Sequence, residues 1–499
     1  MKRGLAFLPL QFCIRRKALH EASASASVSA SASASALAFT HCNNNNGNDN
    51  GNVRSKQVHR HFSVAKPPTY QNQQHQQQQQ QREHADSLNS EDEEILSIKS
   101  NIDNQTNRHH DRDHPFLDPE NKYLRVLQQT NKNSNTKSSN NKQIQTITLA
   151  ASRHGTPSRF HQPIVYHPNY SFPEWPTKQT FPMSKFYHLA QTLTTKLDHL
   201  PRPLVRNHAD FYQPLQYTDI PEAWFAQPHG PINPTFLHRF LAAQLDHKEE
   251  RLIGFRECTK WMQLRERTVL EVAGTVLACQ LAYQYGMATN AAGGTHHAHS
   301  DMGAGYTILN DLAIAANFLL KEDLNGGTIK GVKTVLVVDG DVHQGDGTAK
   351  FHNVPGLGLG KDDGGLVTLS LHCDSNYPQY KAHSTYDVPL PDKMGDEEYM
   401  DAFVNSVTRA MEESNPDFVL YDAGVDVHKD DFLGRLSLTE EGIRKRDRWM
   451  FEVCVREGIP ICGVIGGGYD KDPDTLAKRH SIVHEEAARV WRNNRLYSQ

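Results

Sequence analysis

Lys333-Thr334-Val335-Leu336-Val337-Val338-Asp339-Gly340-Asp341-Val342-His343 is the stretch whose reading decides the fold. Its apolar run has no polar alternation and is rich in β-branched residues, which suits a strand covered on both faces. The run stops at a carboxylate and a glycine, and another carboxylate and an imidazole follow at once. Charges at the end of a buried strand need partners, because an unpaired charge in apolar surroundings is expensive. The segment therefore reads both as the middle of a parallel sheet and as the wall of a site.

Comparable runs cover residues 366–371 before His372, 418–421 before Asp422 and 459–465 before Gly466. Between them lie helical patterns. Residues 265–285 place Val269, Val272, Ala273, Val276, Leu277 and Leu281 on one stripe; 308–320 do so with Leu312, Ala315, Ala316 and Leu319, and 397–414 with Tyr399, Phe403, Val407 and Met411. Alternating strands and helices predict an α/β fold, a single domain with a mostly parallel sheet flanked by helices on both faces. Ligands in such sheets sit beyond the carboxyl ends of the strands, where residues 339–343, 422–426 and 466–469 fall.

Composition divides the 499 residues in two. Residues 1–158 are dominated by Ser, Ala, Asn, Gln and His, with an Asn run at 43–46 and a Gln run at 76–81. Such a segment buries too little apolar surface to offset the entropy of ordering, so disorder is expected over 41–158. Residues 1–40 carry Lys2, Arg3, Arg15, Arg16 and Lys17 with no acidic residue before Glu21, the composition of an organellar transit peptide. A mitochondrial or plastid address is therefore expected, with nucleus or cytoplasm as the alternative. The folded domain is expected over 159–499.

The net charge of −4, with no basic block in the folded part, offers no nucleic-acid surface. No stretch reaches the roughly 18 apolar residues of a membrane span. The seven cysteines are odd in number, scattered and without a Cys-x-x-Cys, which fits a reducing compartment and small core residues.

Asp341 and His343 lie two apart, so in an extended segment their side chains point the same way. Carboxylate plus imidazole makes a half-site for zinc or another divalent ion. Alone, Asp-x-His is a common capping pair; its place at a buried strand end changes that reading. Tyr421-Asp422-Ala423-Gly424-Val425-Asp426 offers a third ligand in either Asp426 or Asp422, each of which could instead cap a turn. In Gly293-Gly294-Thr295-His296-His297 the glycines allow a close backbone approach, and two adjacent imidazoles reach one site only from a loop. They could handle protons, or they could be a satisfied buried pair. His299 and His372 read as structural. Gly466-Gly467-Gly468-Tyr469 ends the last run with a phenol able to donate to a developing oxyanion.

These motifs occur in order with Pro163-Ile164-Val165-Tyr166-His167-Pro168-Asn169-Tyr170, Phe181-Pro182-Met183-Ser184-Lys185, Arg251-Leu252-Ile253-Gly254-Phe255, Asn310-Asp311 and Leu433-Gly434-Arg435-Leu436. From about Pro163 onward the chain resembles the histone deacetylase family of the arginase/deacetylase fold, more closely its class IV and bacterial deacetylase-like branch. The leader has no counterpart there. The resemblance implies that Asp341, His343 and Asp426 bind one catalytic zinc. It makes His297 the general base and acid, His296 its electrostatic partner, Asp339 and Asp346 the carboxylates orienting those rings, and Tyr469 the group polarising the acyl carbonyl. Backbone carbonyls of Asp339, Asp341 and His343, with Ser370 and Leu371, resemble a structural potassium site. Tyr306, Tyr377 and Leu433 stand where the family's acyl-lysine channel runs. Thr295 and Tyr306 depart from the class I pattern, which leaves channel shape and acyl preference open.

The activity implied is zinc-dependent hydrolysis of N-acyl-lysine in a protein or peptide, acetyl or longer, by a metal-activated water. An acetylpolyamine or small-amide amidohydrolase of the same superfamily is the alternative. A catalytically inactive acyl-lysine binder is disfavoured because every ligand, histidine and the tyrosine is present. A two-metal ureohydrolase needs carboxylates that Gln344-Gly345-Asp346 and Val425-Asp426-Val427 do not supply. Oligomeric state stays open, and an organellar address points away from histones as substrate.

Overall fold

The computed structural model describes residues 158–197, 199–351 and 364–496. The expectations for residues 1–40 and for nearly all of 41–158 lie outside the described residues. Seven strands form one sheet: β1 (Ile164–Val165), β2 (Met287–Asn290), β3 (Thr334–Asp339), β4 (Gly365–Cys373), β5 (Tyr386–Leu390), β6 (Phe418–Asp422) and β7 (Ile461–Val464). Their order is β1-β2-β7-β6-β3-β4-β5, and every neighbouring pair is parallel. Parallel neighbours need crossovers, supplied mainly by helices. Among the described residues these are α1 (Lys185–Thr194), α2 (Pro234–Leu241), α3 (His247–Ile253), α4 (Met262–Tyr285), α5 (Asp311–Leu320), α6 (Asp346–Lys350), α7 (Asp396–Ser414), α8 (Glu440–Glu457) and α9 (Pro473–Asn493).

The sheet of the sequence reading is present, all parallel and flanked by helices. The four expected runs became β3, β4, β6 and β7, whose residues are nearly all buried. Three strands escaped that reading. β1 has two residues, Met287-Ala288-Thr289-Asn290 is half polar, and β5 alternates partly exposed with exposed residues at the sheet's edge.

One helix differs in kind. α4 was expected to show a single apolar stripe, but it is buried on nearly every side from Leu264 to Ala282. It packs against β1, β2, β7 and α5 together. Its charges survive there by pairing, with Arg267 and Glu271 joined by two bonds of 2.8 and 2.9 Å. α5 begins at Asp311, later than its pattern suggested, because the Asn310 side chain accepts from the Ala313 N–H at 2.8 Å and caps it there.

From β3 the chain runs outward through β4 to β5, then returns to lay β6 on the other side of β3. A reversal of this kind opens a crevice at the carboxyl ends of β3 and β6. β7 lies beside β6 and β2 beside β7, so the segments leaving four adjacent strands share one end of the sheet. The five described cysteines are buried and unbridged. Among the described residues, no helix is long and apolar enough to cross a membrane.

Candidate active site

The loop after β2 carries the two histidines, and α5 holds it in place. Asp311 accepts from the Thr295 N–H (2.8 Å), from the Gly294 N–H (3.2 Å) and from the Thr295 hydroxyl (2.6 Å). Gly293 and Gly294 adopt φ of +87° and +86°, and a Cβ at Gly294 would meet the Asp422 carboxylate and the Gly466 backbone. With the backbone so folded, both rings enter one cavity. His296 Nδ1 donates to Asp339 (2.8 Å) and His297 Nδ1 to Asp346 (2.7 Å), which turns each Nε2 away from its carboxylate. Asp346 also lies 3.3 Å from His299 Nε2, so His299 contributes to orienting this dyad.

Asp341, His343 and Asp426 meet beside the histidines. Their ligand atoms lie within 4.8 Å of one another, and all three residues are buried. His343 Nδ1 stands 3.1 Å from Asp341 Oδ1 and 3.1 Å from Asp426 Oδ2. Of the two candidate aspartates, Asp426 is the one that lies with Asp341 and His343. Asp422 clusters with His296 and Asp339, and neither of its carboxylate oxygens has a hydrogen-bond partner.

The donor set fits a single divalent cation. Two carboxylates and one imidazole converge, as in catalytic sites that keep a coordination position open. The space is kept by a glycine, since a Cβ at Gly467 would press into the carboxylates of both Asp426 and Asp341. The Gly467 N–H steadies Asp341 Oδ2 at 2.7 Å, and the Val342 N–H steadies Asp426 Oδ1 at 2.9 Å.

Charge is unevenly divided over the site. Burial opposes a proton on His296, but Asp339, Asp341 and Asp422 outweigh it and hold the ring well above its ordinary 6.5. His297 goes the other way: burial, then the charges of His296 and His343, bring it down to about 4 despite Asp346. The two neighbouring imidazoles are thus pushed in opposite directions. Tyr469 is pushed well above 10 by burial and by the Asp426 and Asp341 carboxylates, so its phenol keeps its proton.

A cavity of about 40 Å³ joins these groups. Its lining includes His296, His297, Asp341, His343, Asp426, Tyr469 and Tyr306. Tyr306 sits at φ +64°, with its ring 6.1 Å from that of Tyr469 and 5.8 Å from that of Phe181. Tyr377 is half exposed and meets the His297 ring edge-on at 4.8 Å. Of the three channel residues only Tyr306 lines this cavity; the Leu433 carbonyl accepts from Asn376 at 2.6 Å on the neighbouring segment. The β3–β4 register sets Ser370 opposite Asp339, which brings the two segments of the potassium-like set together.

Several contributors carried no legible signal in the sequence. Asp431 accepts from the N–H groups of Tyr469 (2.7 Å), Leu433 (2.9 Å) and Gly434 (3.0 Å), and so fixes the tyrosine's loop. Lys185 is fully buried, donates to the Gly466 carbonyl at 3.0 Å and is lowered to about 8 by burial. It lies in a quoted motif, yet nothing local to that motif assigns it to a cavity wall. Arg267 and Glu271 line the same inner end from α4.

An open, all-parallel sheet with the candidate site at the strand ends beside this reversal is an α/β architecture of the arginase/deacetylase type. The histone deacetylase domain family matches residues 120–485, and the chain belongs to the histone deacetylase family. The match begins ahead of residue 159, where composition places the start of the domain. An uncharacterized protein of Picosynechococcus sp. is 37% identical over 330 residues, covering 66% of this chain and 99% of that one. Histone deacetylase 2 of Arabidopsis thaliana is 30% identical over 204 residues, covering 40% of this chain and 49% of that one. A solved HDAC homolog complexed with SAHA superposes with a TM-score of 0.50 at 19% identity, covering 66% of this chain and 84% of that one, a likeness of fold. The chain is accordingly a hydrolase of the deacetylase type, acting on amide bonds.

Proposed function

We propose that this hydrolase is zinc-dependent and removes acyl groups from the lysine side chains of proteins or peptides. The observation that carries the reading is the pair of His–Asp dyads, each Nδ1 held by a carboxylate, set beside the Asp341, His343, Asp426 triad. Asp341, His343 and Asp426 would hold the zinc ion, which would supply Lewis acidity at that point. His297, neutral and aimed by Asp346, takes the proton of the attacking water at Nε2. His296, held by Asp339 at Nδ1, is placed to offset the negative charge that develops next to it. Tyr469 keeps its proton and donates it as a hydrogen bond to the carbonyl oxygen as that oxygen becomes an oxyanion. A histidine then returns a proton to the departing lysine amine, and a carboxylate and a free amine leave. Tyr306 on the cavity wall, with Tyr377 edge-on to His297 beside it, suits the methylene stem of a lysine, whose chain is apolar up to its acylated nitrogen.

The test is turnover of the full chain on acetyl-lysine and myristoyl-lysine peptides and on acetylpolyamines, with metal analysis of the same sample. Turnover of the peptides with one zinc per chain supports the reading. Turnover of acetylpolyamines alone would reassign the substrate, and a folded, zinc-loaded protein inert on all three would defeat the enzyme reading.

A further inference from the structure

Helix α8 carries a charged pair that lies outside the cavity, Arg446 and Asp447, both fully buried. Arg446 Nη1 donates to the Gly340 carbonyl and to the Gly424 carbonyl, at 2.9 Å each. Its Nε donates to Asp447 Oδ1 at 2.9 Å, and the same oxygen accepts from the Tyr421 hydroxyl at 2.6 Å. Gly340 follows the last residue of β3 and adjoins Asp341. Gly424 stands two residues past β6 and two before Asp426. Both carbonyls lie just beyond their strands, where the sheet ladder no longer provides donors.

We propose that Arg446 is a positioning residue for the metal triad, with one guanidinium nitrogen fixing the two loops that carry Asp341 and Asp426. The inference rests on the metal reading given above. Desolvating a guanidinium is costly, and well-packed apolar side chains commonly stabilise a core at least as well as a buried ion pair. Arg446 and Asp447 together add no net charge beneath the carboxylates of the site. What the pair supplies is geometry. The Gly340 N–H already donates to the Asp422 carbonyl at 3.0 Å, and the guanidinium adds a second tie between the same two loops. Slip between the loops would separate Asp341 Oδ1 from Asp426 Oδ2, the two oxygens that flank His343 Nδ1.

Lysine would keep the charge at this position and lose the fork that serves two carbonyls and Asp447 at once. The experiment measures zinc affinity of the full chain by chelator competition, melting of the metal-free form, and kcat and KM on an acetyl-lysine peptide. Arg446→Lys is expected to fold, to weaken zinc about 10–100-fold, as loss of outer-shell support does, and to lower kcat with little change in KM. Met450→Ala, one turn along α8 at a buried apolar position, is expected to lower the melting temperature and leave zinc affinity alone. Wild-type zinc affinity in Arg446→Lys, or equal weakening in Met450→Ala, overturns the proposal. Should Arg446→Lys fail to fold, Asp447→Asn decides, since it removes the carboxylate that aims Nε. A smaller weakening in the same direction supports the proposal, and none overturns it. A wild-type protein that takes up no zinc would overturn the metal reading itself, which is distinguishable from a wild type and variant that bind it equally.

Discussion

Zinc affinity should rise with pH, by an amount the site itself sets. His343 can ligate only as a neutral ring. In the metal-free protein burial disfavours its charge, but Asp341 and Asp426 outweigh burial and raise it to about 10. Between pH 7 and pH 9 each bound ion therefore displaces about one proton, and affinity climbs about tenfold per pH unit, or about 1.4 kcal/mol. Asp426, raised to about 7 by burial and by the Asp341 charge, adds a second displaced proton below pH 7. The slope then steepens toward about a hundredfold per unit, with the cluster titrating as one system.

Stability of the metal-free protein runs in the opposite sense. A histidine raised on folding contributes stability that is complete below its ordinary 6.5 and is lost as pH rises through about 10. The raised Asp426 acts in the same direction as pH climbs through about 7. Between pH 7 and pH 8 the metal-free melting temperature should therefore fall while zinc affinity grows; above pH 8 the lowered Lys185 works in the opposite sense. Chelator competition at pH 6, 7, 8 and 9, corrected for the chelator's own protonation, measures the slope. An affinity flat or falling between pH 7 and pH 8 would refute the assignment of His343 as a ligand displaced from its proton. Asp341→Ala, expected to abolish binding, anchors the measurement.

His297→Ala should retain zinc and lose about 10²–10⁴-fold in kcat, the range for a positioned general base; full activity, or lost metal with kept rate per loaded chain, would sink the assignment. For Tyr469→Phe a fall of about 10²–10³-fold in kcat with little change in KM is expected from loss of an oxyanion donor, and steady-state kinetics that show only a KM effect would exclude that role. Gly467→Ala places a methyl group against the carboxylates of Asp426 and Asp341, so metal analysis of a folded variant should find the site empty; normal zinc content would contradict the cradle geometry. A fusion of residues 1–50 to a fluorescent reporter is expected to enter an organelle, and diffuse signal would count against the transit peptide.

Much of the site was legible before any coordinates because the chemistry sits at the ends of apolar runs. Val335 to Val338 form a strand by their own character, and the next residues must leave the sheet with their polar groups exposed to one another. That reasoning located Asp339, Asp341 and His343, and repeated at two other runs it located Asp422, Asp426 and Tyr469. It failed where the local signal is weak. Met287-Ala288-Thr289-Asn290 becomes a strand through its neighbours β1 and β7, and α4 is buried all round because the sheet and α5 enclose it. Asp431 and Arg446 carry no pattern at all, since each acts on backbone groups distant in the chain or in the following loop.

Residue character by itself determined the class of sheet, the segments that form its centre and the side chains delivered at their ends, because strand formation and burial are decided by short runs of residues. Strand order decided the rest. Placing β6 between β7 and β3 put Asp426 against His343 and sent Asp422 to the side of His296 and Asp339, a choice that two aspartates four residues apart cannot reveal. It also pushed the paired histidines in opposite directions, because the ease of protonating a buried imidazole depends on which charged groups the folded chain brings beside it.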